Sequence, residues 1–557
     1  MKLIGTEIVV ECLNREKVEV VFGIPGGAIM PLYDAIYQKA SFTHILTKHE
    51  QGAMHAADGY ARATGKVGVC IATSGPGATN LVTGLANAYL DSIPVVAFTG
   101  QVASPLIGTD AFQEVDITGI TMPVTKNNYL VMNVNNLAAT IKEAFSLAKN
   151  GRPGPVLIDL PKDIQQAQTE FYYSEKDKNS SYSFSSKRNL NQIKKAANAI
   201  QKAKRPVIYA GGGIITSGAS QELWDFVQKT NIPVTTTLMG LGGFPENHPL
   251  SLEMLGMHGT YYANTAINEA DLIIALGVRF DDRVTGTTGN FCSDATFIHV
   301  DIDPAEISKN VKVDIPIVGN LKTILAKLIQ FVEPKQEQEW MDRIAHLKEK
   351  YPLQYVEDDL LRPQFILKQL YESTEGEGII VTDVGQHQMW AAQYYKYIHP
   401  RSFITSGGLG TMGFGLPAAL GAQIGCPEKR VFCIAGDGGF QMNIQELATV
   451  IGNKIPVVVL IMNNGYLGMV RQWQELFFEG RYSSTNLEGS PDFAQVVQAY
   501  GGKGVRVFNK NDFTRALNEA LEEKRFCLID CMIPPEENVF PMVVPGEPIN
   551  KMIGVNC

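Results

Sequence analysis

Two short strings carry the strongest chemical signal in this chain: Gly436-Asp437-Gly438 and, downstream, Asn463-Asn464. Each closes an apolar run that predicts a β-strand, over residues 430–435 and 455–462. Strand ends that lie side by side at the carboxyl edge of a parallel sheet are where α/β proteins bind ligands. There Asp437 and Asn464 would offer two hard oxygen donors to one divalent cation. Mg²⁺ suits such a pair when phosphate oxygens complete its octahedron. The flanking glycines let the backbone come close. The spacing predicts a clamp for a cation and a diphosphate.

Other strings are less specific. Lys48-His49-Glu50-Gln51-Gly52 follows the apolar Ile45-Leu46 and places Glu50 at a strand-to-helix turn. A carboxylate there can simply complement a helix N-terminus, or it can hold a proton against a ligand nitrogen. Thr73 to Asn80 forms a glycine-rich turn that opens a helix, a common feature of α/β folds. Gly408-Leu409-Gly410-Thr411-Met412-Gly413 spells the G-x-G-x-x-G of nicotinamide-binding units. Asp437 lies between glycines and is matched by the Asn pair, which fits metal and phosphate ligation better than ribose binding. Gly211-Gly212-Gly213 follows another strand, and Arg279, Asp281, Asp282 and Arg283 follow a further one. That set invites a second nucleotide through phosphate and ribose contacts, although a solvated charge cluster has the same composition. Trp473 is either core or one wall of a substrate pocket.

These residues need α/β elements to position them. Short β-branched runs alternate with helical stretches in three segments, predicting three domains with mainly parallel sheets flanked by helices. The segments run over residues 1–168, 190–335 and 360–557. A polar stretch near residues 170–195 reads as a linker, and a charged one over 334–363 as a connecting helix plus loop. The length of 557 residues fits three domains. A net charge of −9 argues against nucleic-acid or anionic-membrane partners. The eight cysteines have no zinc spacing and sit mostly in apolar runs, as expected of buried thiols in a reducing compartment. No apolar run is long enough to span a bilayer, and residues 1–7 lack a targeting pattern, so a cytoplasmic location is expected.

Taken together, the strings resemble those of the catalytic subunit of the acetolactate (acetohydroxyacid) synthase family, which depends on thiamine diphosphate. The resemblance runs nearly end to end. It rests on the clamp and on Phe22-Gly-Ile-Pro-Gly-Gly-Ala28, Lys48-His-Glu-Gln-Gly52, Ala111-Phe-Gln-Glu114, Arg279-Phe-Asp-Asp-Arg-Val-Thr-Gly286, Gly385-Gln-His-Gln-Met-Trp390, residues 407–415 and Met469-Val-Arg-Gln-Trp473. It implies a pyrimidine-binding, a central and a diphosphate-binding domain in that order.

The resemblance also implies roles. Asp437, Asn464 and the carbonyl of Tyr466 would hold Mg²⁺. Gly385, Gln386, His387, Gly436 and Gly438 would face the diphosphate, with Gly410 and Met412 supporting the bent cofactor. Glu50, from a second subunit, would contact the pyrimidine nitrogen, with Gln113 and Lys126 as further catalytic residues. Gly27, Phe112, Met469, Val470 and Trp473 would border substrate, and Trp473 and Arg283 would help select the second keto acid. FAD, without a net redox role, would meet Arg152, Gly211, Gly212, Gly213, Thr237, Leu238, Met257, His258, Gly277, Arg279, Asp281, Arg283, Asp301 and Ile302. The Pro-rich stretch 534–553 resembles a closing lid.

The implied reaction decarboxylates pyruvate and transfers the hydroxyethyl unit to pyruvate or 2-ketobutyrate, in branched-chain amino-acid biosynthesis. A homodimer or tetramer with a separate small regulatory subunit is implied. The alternatives are a catabolic acetolactate synthase or pyruvate oxidase-like relative, a nicotinamide dehydrogenase using Gly408 to Gly413, and a non-catalytic assembly protein that keeps the fold.

Overall fold

The computed structural model describes residues 1–173, 186–286, 289 and 291–555. Three six-stranded sheets dominate it, every strand pair within them parallel. The strands are near-continuous apolar runs. Val431–Gly436, Val458–Asn463 and Val95–Gln101 are buried at every position, as parallel sheets covered by helices on both faces require. The observed strand ends lie about one residue beyond the apolar runs, which leaves Asp437 and Asn464 just outside the sheet.

The first sheet orders its strands Thr43–Leu46, Val20–Gly23, Gly68–Ala72, Val95–Gln101, Val156–Pro161, Asn127–Leu130. Numbered within the domain, that order is 2-1-3-4-6-5. The third sheet runs Phe403–Ile404, Ile379–Thr382, Val431–Gly436, Val458–Asn463, Cys527–Met532, Lys503–Val507, which is 2-1-3-4-6-5 again. The middle sheet differs: Ser251–Met254, Val234–Thr236, Pro206–Ala210, Leu272–Leu276, Thr296–Asp301, Ile315–Val318, or 3-2-1-4-5-6. That is the dinucleotide-binding order, with its crevice between the first and fourth strands.

The part of the expected linker over 174–185 lies outside the described residues. Its end is a helix, Ser186–Lys202, because Ile193, Ala196, Ala197 and Ile200 form a buried stripe on the middle sheet. The charged stretch holds the helix Gln338–Lys350 followed by an irregular segment. Six cysteines are buried and Cys426 is partly so; Cys557 lies outside the described residues. Among the described residues no helix is long and apolar enough to cross a membrane.

First and third sheets are joined by two helices of small residues, Glu50–Thr64 and Gly415–Gly425. A Cβ at Gly59 would lie 2.1 Å from the Ala418 carbonyl oxygen, and one at Gly421 would lie 1.8 Å from that of Ala56. Backbone therefore packs on backbone. Gly421→Ala should force the helices apart and destabilise the protein by about 1–3 kcal/mol, read as a lower midpoint in chemical denaturation.

Candidate functional site

Asp437 borders the topological switch of the third sheet, between its first and third strands, and Asn464 follows the neighbouring fourth strand. Asp437 opens a short helix directly after Val431–Gly436. Its carboxylate is 1 % exposed, and its Oδ2 has no hydrogen-bond partner. Burial raises its pKa to about 7, since a charge there lacks water and a counter-charge. The two asparagines divide their work. Asn463 donates to Asp530 (2.9 Å), which Arg506 pairs at 2.7 Å. Asn464 accepts from the Tyr466 amide (3.0 Å) and donates to Gln386 (3.2 Å), so it is the one turned toward the clamp. Among the described residues no cluster of three or more His, Cys, Asp or Glu stands ready for a metal. One carboxylate plus amide oxygens is a donor set that fits Mg²⁺ only when a ligand's oxygens join it.

The turn after Ile379–Thr382 supplies the other side. A Cβ on either Gly385 or Gly436 would lie 2.9 Å from the His387 ring, so both glycines hold space for that imidazole. His387 Nε2 is buried without a partner, and burial pushes its pKa down to about 3, leaving a neutral ring. Met412 reaches Gly438: a Cβ there would be 3.7 Å from its methyl carbon. Gly410, at φ +70°, lets the loop turn beneath it.

Asp383 is a residue the sequence reading passed over. It is buried and accepts from the amides of Val384 (2.8 Å), Gly413 (3.0 Å) and Gly415 (2.9 Å). It thus ties the Met412 loop to the His387 turn. An acid directly after a β-branched run and before a glycine was the available signal. Gln472, also passed over, bonds Gln386 (2.9 Å) and both backbone groups of Val539.

The first sheet presents its own cluster at the equivalent edge. Glu50 starts the helix Glu50–Thr64 and accepts from Asn80 (3.0 Å), with Gly77 beside it. The Ala28 amide donates to Thr73, and a Cβ at Gly27 would meet open space. Gln113 holds a left-handed φ of +59° against Gly75, and Phe112 is 87 % exposed. Gly27, Glu50 and Gln113 thus converge. Lys126 stands apart. Its amine donates to the carbonyls of Leu147, Asn150 and Arg152, closing the end of the helix Leu137–Lys149.

Met469, Val470 and Trp473 share a cleft of about 720 Å³ with Gln474, Phe478, Arg481 and Ser483. They lie on one face of the helix Gly468–Phe477.

In the middle domain Gly211 and Gly213 press on Gly277, at φ +62°; Cβ atoms on them would lie 2.2 Å and 2.6 Å from its backbone. The crevice also holds unpartnered buried atoms, Thr237 Oγ1 and His258 Nδ1, with Leu238 opening the adjacent turn. Asp281 accepts from the Arg283 amide, while the Arg283 side chain is 62 % exposed. Burial raises the pKa of Asp301, at the end of Thr296–Asp301, to about 6; Ile302 follows it. Arg152 pairs with Glu306 (2.6 Å) and donates to Ser92, bridging two domains. Arg279 lies 3.4 Å from where a Gly408 Cβ would be.

The stretch expected as a lid is seated. The Glu537 carbonyl accepts from Gln386 (3.0 Å), the Val543 amide donates to Met257 (2.8 Å), and Ile549 is buried in the middle-domain core.

Family models match all three parts. They are thiamine pyrophosphate enzyme N-terminal TPP binding domain over 4–120, central domain over 193–328 and C-terminal TPP binding domain over 383–531. The acetolactate synthase large subunit of Corynebacterium glutamicum is 49% identical over 98% of this chain and 89% of its own length. Acetolactate synthase isozyme 3 large subunit of Escherichia coli is 46% identical over 99% and 98%. The chain belongs to the acetolactate synthase large-subunit family. A probable acetolactate synthase large subunit of Methanocaldococcus jannaschii is also 49% identical, over 99% of this chain. Like the family, this chain is a three-domain enzyme whose outer domains bind thiamine diphosphate.

A cation at Asp437 must displace a proton wherever the carboxyl is protonated. Mg²⁺ binding in the presence of thiamine diphosphate should release protons at pH 6 and almost none at pH 8. Calorimetry in buffers of differing ionisation enthalpy measures that release.

Proposed function

We propose that this chain is the catalytic large subunit of a biosynthetic acetolactate synthase. It decarboxylates pyruvate and joins the two-carbon unit to a second 2-keto acid, pyruvate or 2-ketobutyrate. The products are acetolactate and 2-aceto-2-hydroxybutyrate, precursors of branched-chain amino acids. The observation that carries the reading is the buried, unpartnered Oδ2 of Asp437 beside Asn464 and His387, opposite a loop bearing Met412.

Asp437, Asn464 and the Tyr466 carbonyl hold Mg²⁺, while Gly385, Gln386, His387, Gly436 and Gly438 face the diphosphate. Bound thiamine diphosphate supplies the electron sink for loss of CO₂. Glu50 belongs to a second copy of the chain and holds a proton at the pyrimidine ring nitrogen. In support, the polar partner of its carboxylate is Asn80 in its own domain, and that domain leaves Phe112, Met30 and Met122 exposed. A homodimer is then the smallest active unit. The words "large subunit" in the relatives' names support a separate smaller regulatory partner. Met469, Val470 and Trp473 make an apolar wall that keeps water from the second keto acid.

The middle crevice fits FAD. Its 3-2-1-4-5-6 order, glycine turn and unpartnered Thr237 and His258 atoms supply the dinucleotide cradle. Purified protein should carry flavin absorbance.

Glu50→Gln should lower carboligation by about 10²–10⁴-fold while thiamine diphosphate still binds, measured by product assay beside calorimetric titration; a fully active variant would sink the proton-relay role. A mixed dimer of Glu50→Gln and Asp437→Asn chains should keep about half the wild-type rate, since both lesions fall in one centre and the other stays independent. An inactive mixed dimer would place Glu50 in the centre of its own chain. Trp473→Leu should reduce the preference for 2-ketobutyrate over pyruvate by about tenfold or more, read from products formed in competition.

A further inference from the structure

The loop that carries Met412 is held from outside its own domain. The side chain of Asp91, in the first domain, is wholly buried and accepts from two consecutive loop amides, Gly407 (2.9 Å) and Gly408 (2.7 Å). Arg62 pairs with Asp91 at 2.9 Å and with Asp58, and its other guanidinium nitrogen donates to the Thr405 carbonyl (2.8 Å). Asn87 donates to Asp58 (3.0 Å) and accepts from the hydroxyls of Ser406 and Thr411. The Thr411 amide closes the ring on Ser406 Oγ at 2.8 Å. From Thr405 to Thr411 the loop is thus pinned by three side chains of the first domain. A Cβ on Gly408 would lie 2.9 Å from both Asp91 and Leu90, so the approach is close as well as polar.

The same helix, Glu50–Thr64, carries Glu50 at its start and Asp58 and Arg62 in its later turns. Glu50 is assigned above to the centre built on the other copy's clamp. Arg62 and Asp91 reach the Met412 loop of their own chain. We propose that Asp91, oriented by Arg62, is a positioning residue for Met412, and that the helix Glu50–Thr64 therefore serves both centres of the dimer, one through Glu50 and the other through the Arg62–Asp91 pair. The second half of the proposal rests on the shared centre proposed above.

A buried anion that accepts two amides fixes the loop as a rigid body. Misplacing a support by about 1 Å can cost about 10²-fold in rate. Asp91→Asn keeps the size but loses one of the acceptor oxygens, and Arg62 retains Asp58 as a counter-charge. Hydrogen exchange on the cofactor-free protein should quicken at the Gly407 and Gly408 amides and along the loop to Gly413, with helices away from it unchanged. Ser406→Ala, which spares the ion pairs, should quicken the Thr411 amide in the same way. Unaltered exchange in both variants would overturn the positioning role.

Mixed dimers decide which centre Asp91 serves. A Glu50→Gln chain paired with an Asp91→Asn chain gathers both lesions at one centre and should keep about half the wild-type rate. A chain carrying both substitutions paired with a wild-type chain spreads them over both centres and should fall to about half the rate of the Asp91→Asn homodimer. Equal rates for the two mixed dimers would mark a general structural defect, and the reversed order would assign Asp91 to the partner's centre; either result overturns the coupling. The Glu50→Gln with Asp437→Asn pair serves as the control. If it is inactive, the shared centre fails and the coupling with it, while the exchange data still judge the hold of Asp91 on the loop.

Discussion

Everything at this site depends on two helices whose backbones touch. Glu50–Thr64 and Gly415–Gly425 approach so closely that Gly59 and Gly421 have no room for a side chain, and that contact fixes the first sheet against the third. A third point of attachment lies at the start of the first helix. Glu446 of the third domain accepts from the amides of Lys48 (2.9 Å) and His49 (3.0 Å), and Gly52 leaves room for its carboxylate. The helix that begins with Glu50 is therefore anchored at its start by Glu446, along its length by small residues and near its end by Arg62. Removing Arg62 from the buried cluster Asp58–Arg62–Asp91 would leave two carboxylates without their counter-charge, at a cost of about 3–5 kcal/mol.

The middle domain is bound to this frame by its edges. Arg152 reaches from the first domain to Glu306. Met239 of the middle domain crowds Gly407 of the cofactor loop, with its sulfur 2.3 Å from where a Cβ would be. The chain end crosses from Gln386 and Gln472 to Met257, with Met542–Val543 pairing antiparallel to Met552–Ile553. The turn that carries His387 and the Met257 loop of the middle domain are thus held by a single strap of chain.

Much of this was legible in the sequence because strand ends announce themselves. Asp437, Asn464, Gly211 and Glu50 each follow an apolar run, and parallel sheets gather such ends along one edge. Asp91, Asn87 and Arg62 gave no such sign: they lie within or at the end of helices, and their meaning comes only from the loop they meet more than 300 positions later. Asp383 follows a strand but was overshadowed by the glycine and histidine beside it. The helix from Ser186 was hidden in a polar stretch because only one narrow stripe of it is apolar. Local pattern reveals where a ligand lies; partners distant in the chain decide how firmly its bed is made.

The first and third sheets share one strand order, 2-1-3-4-6-5, yet the ends of their strands bear different residues. After their first, second and third strands one has the Gly27 turn, Glu50 and Thr73, and the other has the His387 turn, the Met412 loop and Asp437. One architecture is used twice and has been specialised only at its rim. Division of labour between the two halves of the cofactor is therefore written in a handful of side chains, and the scaffold beneath is indifferent to which half it serves.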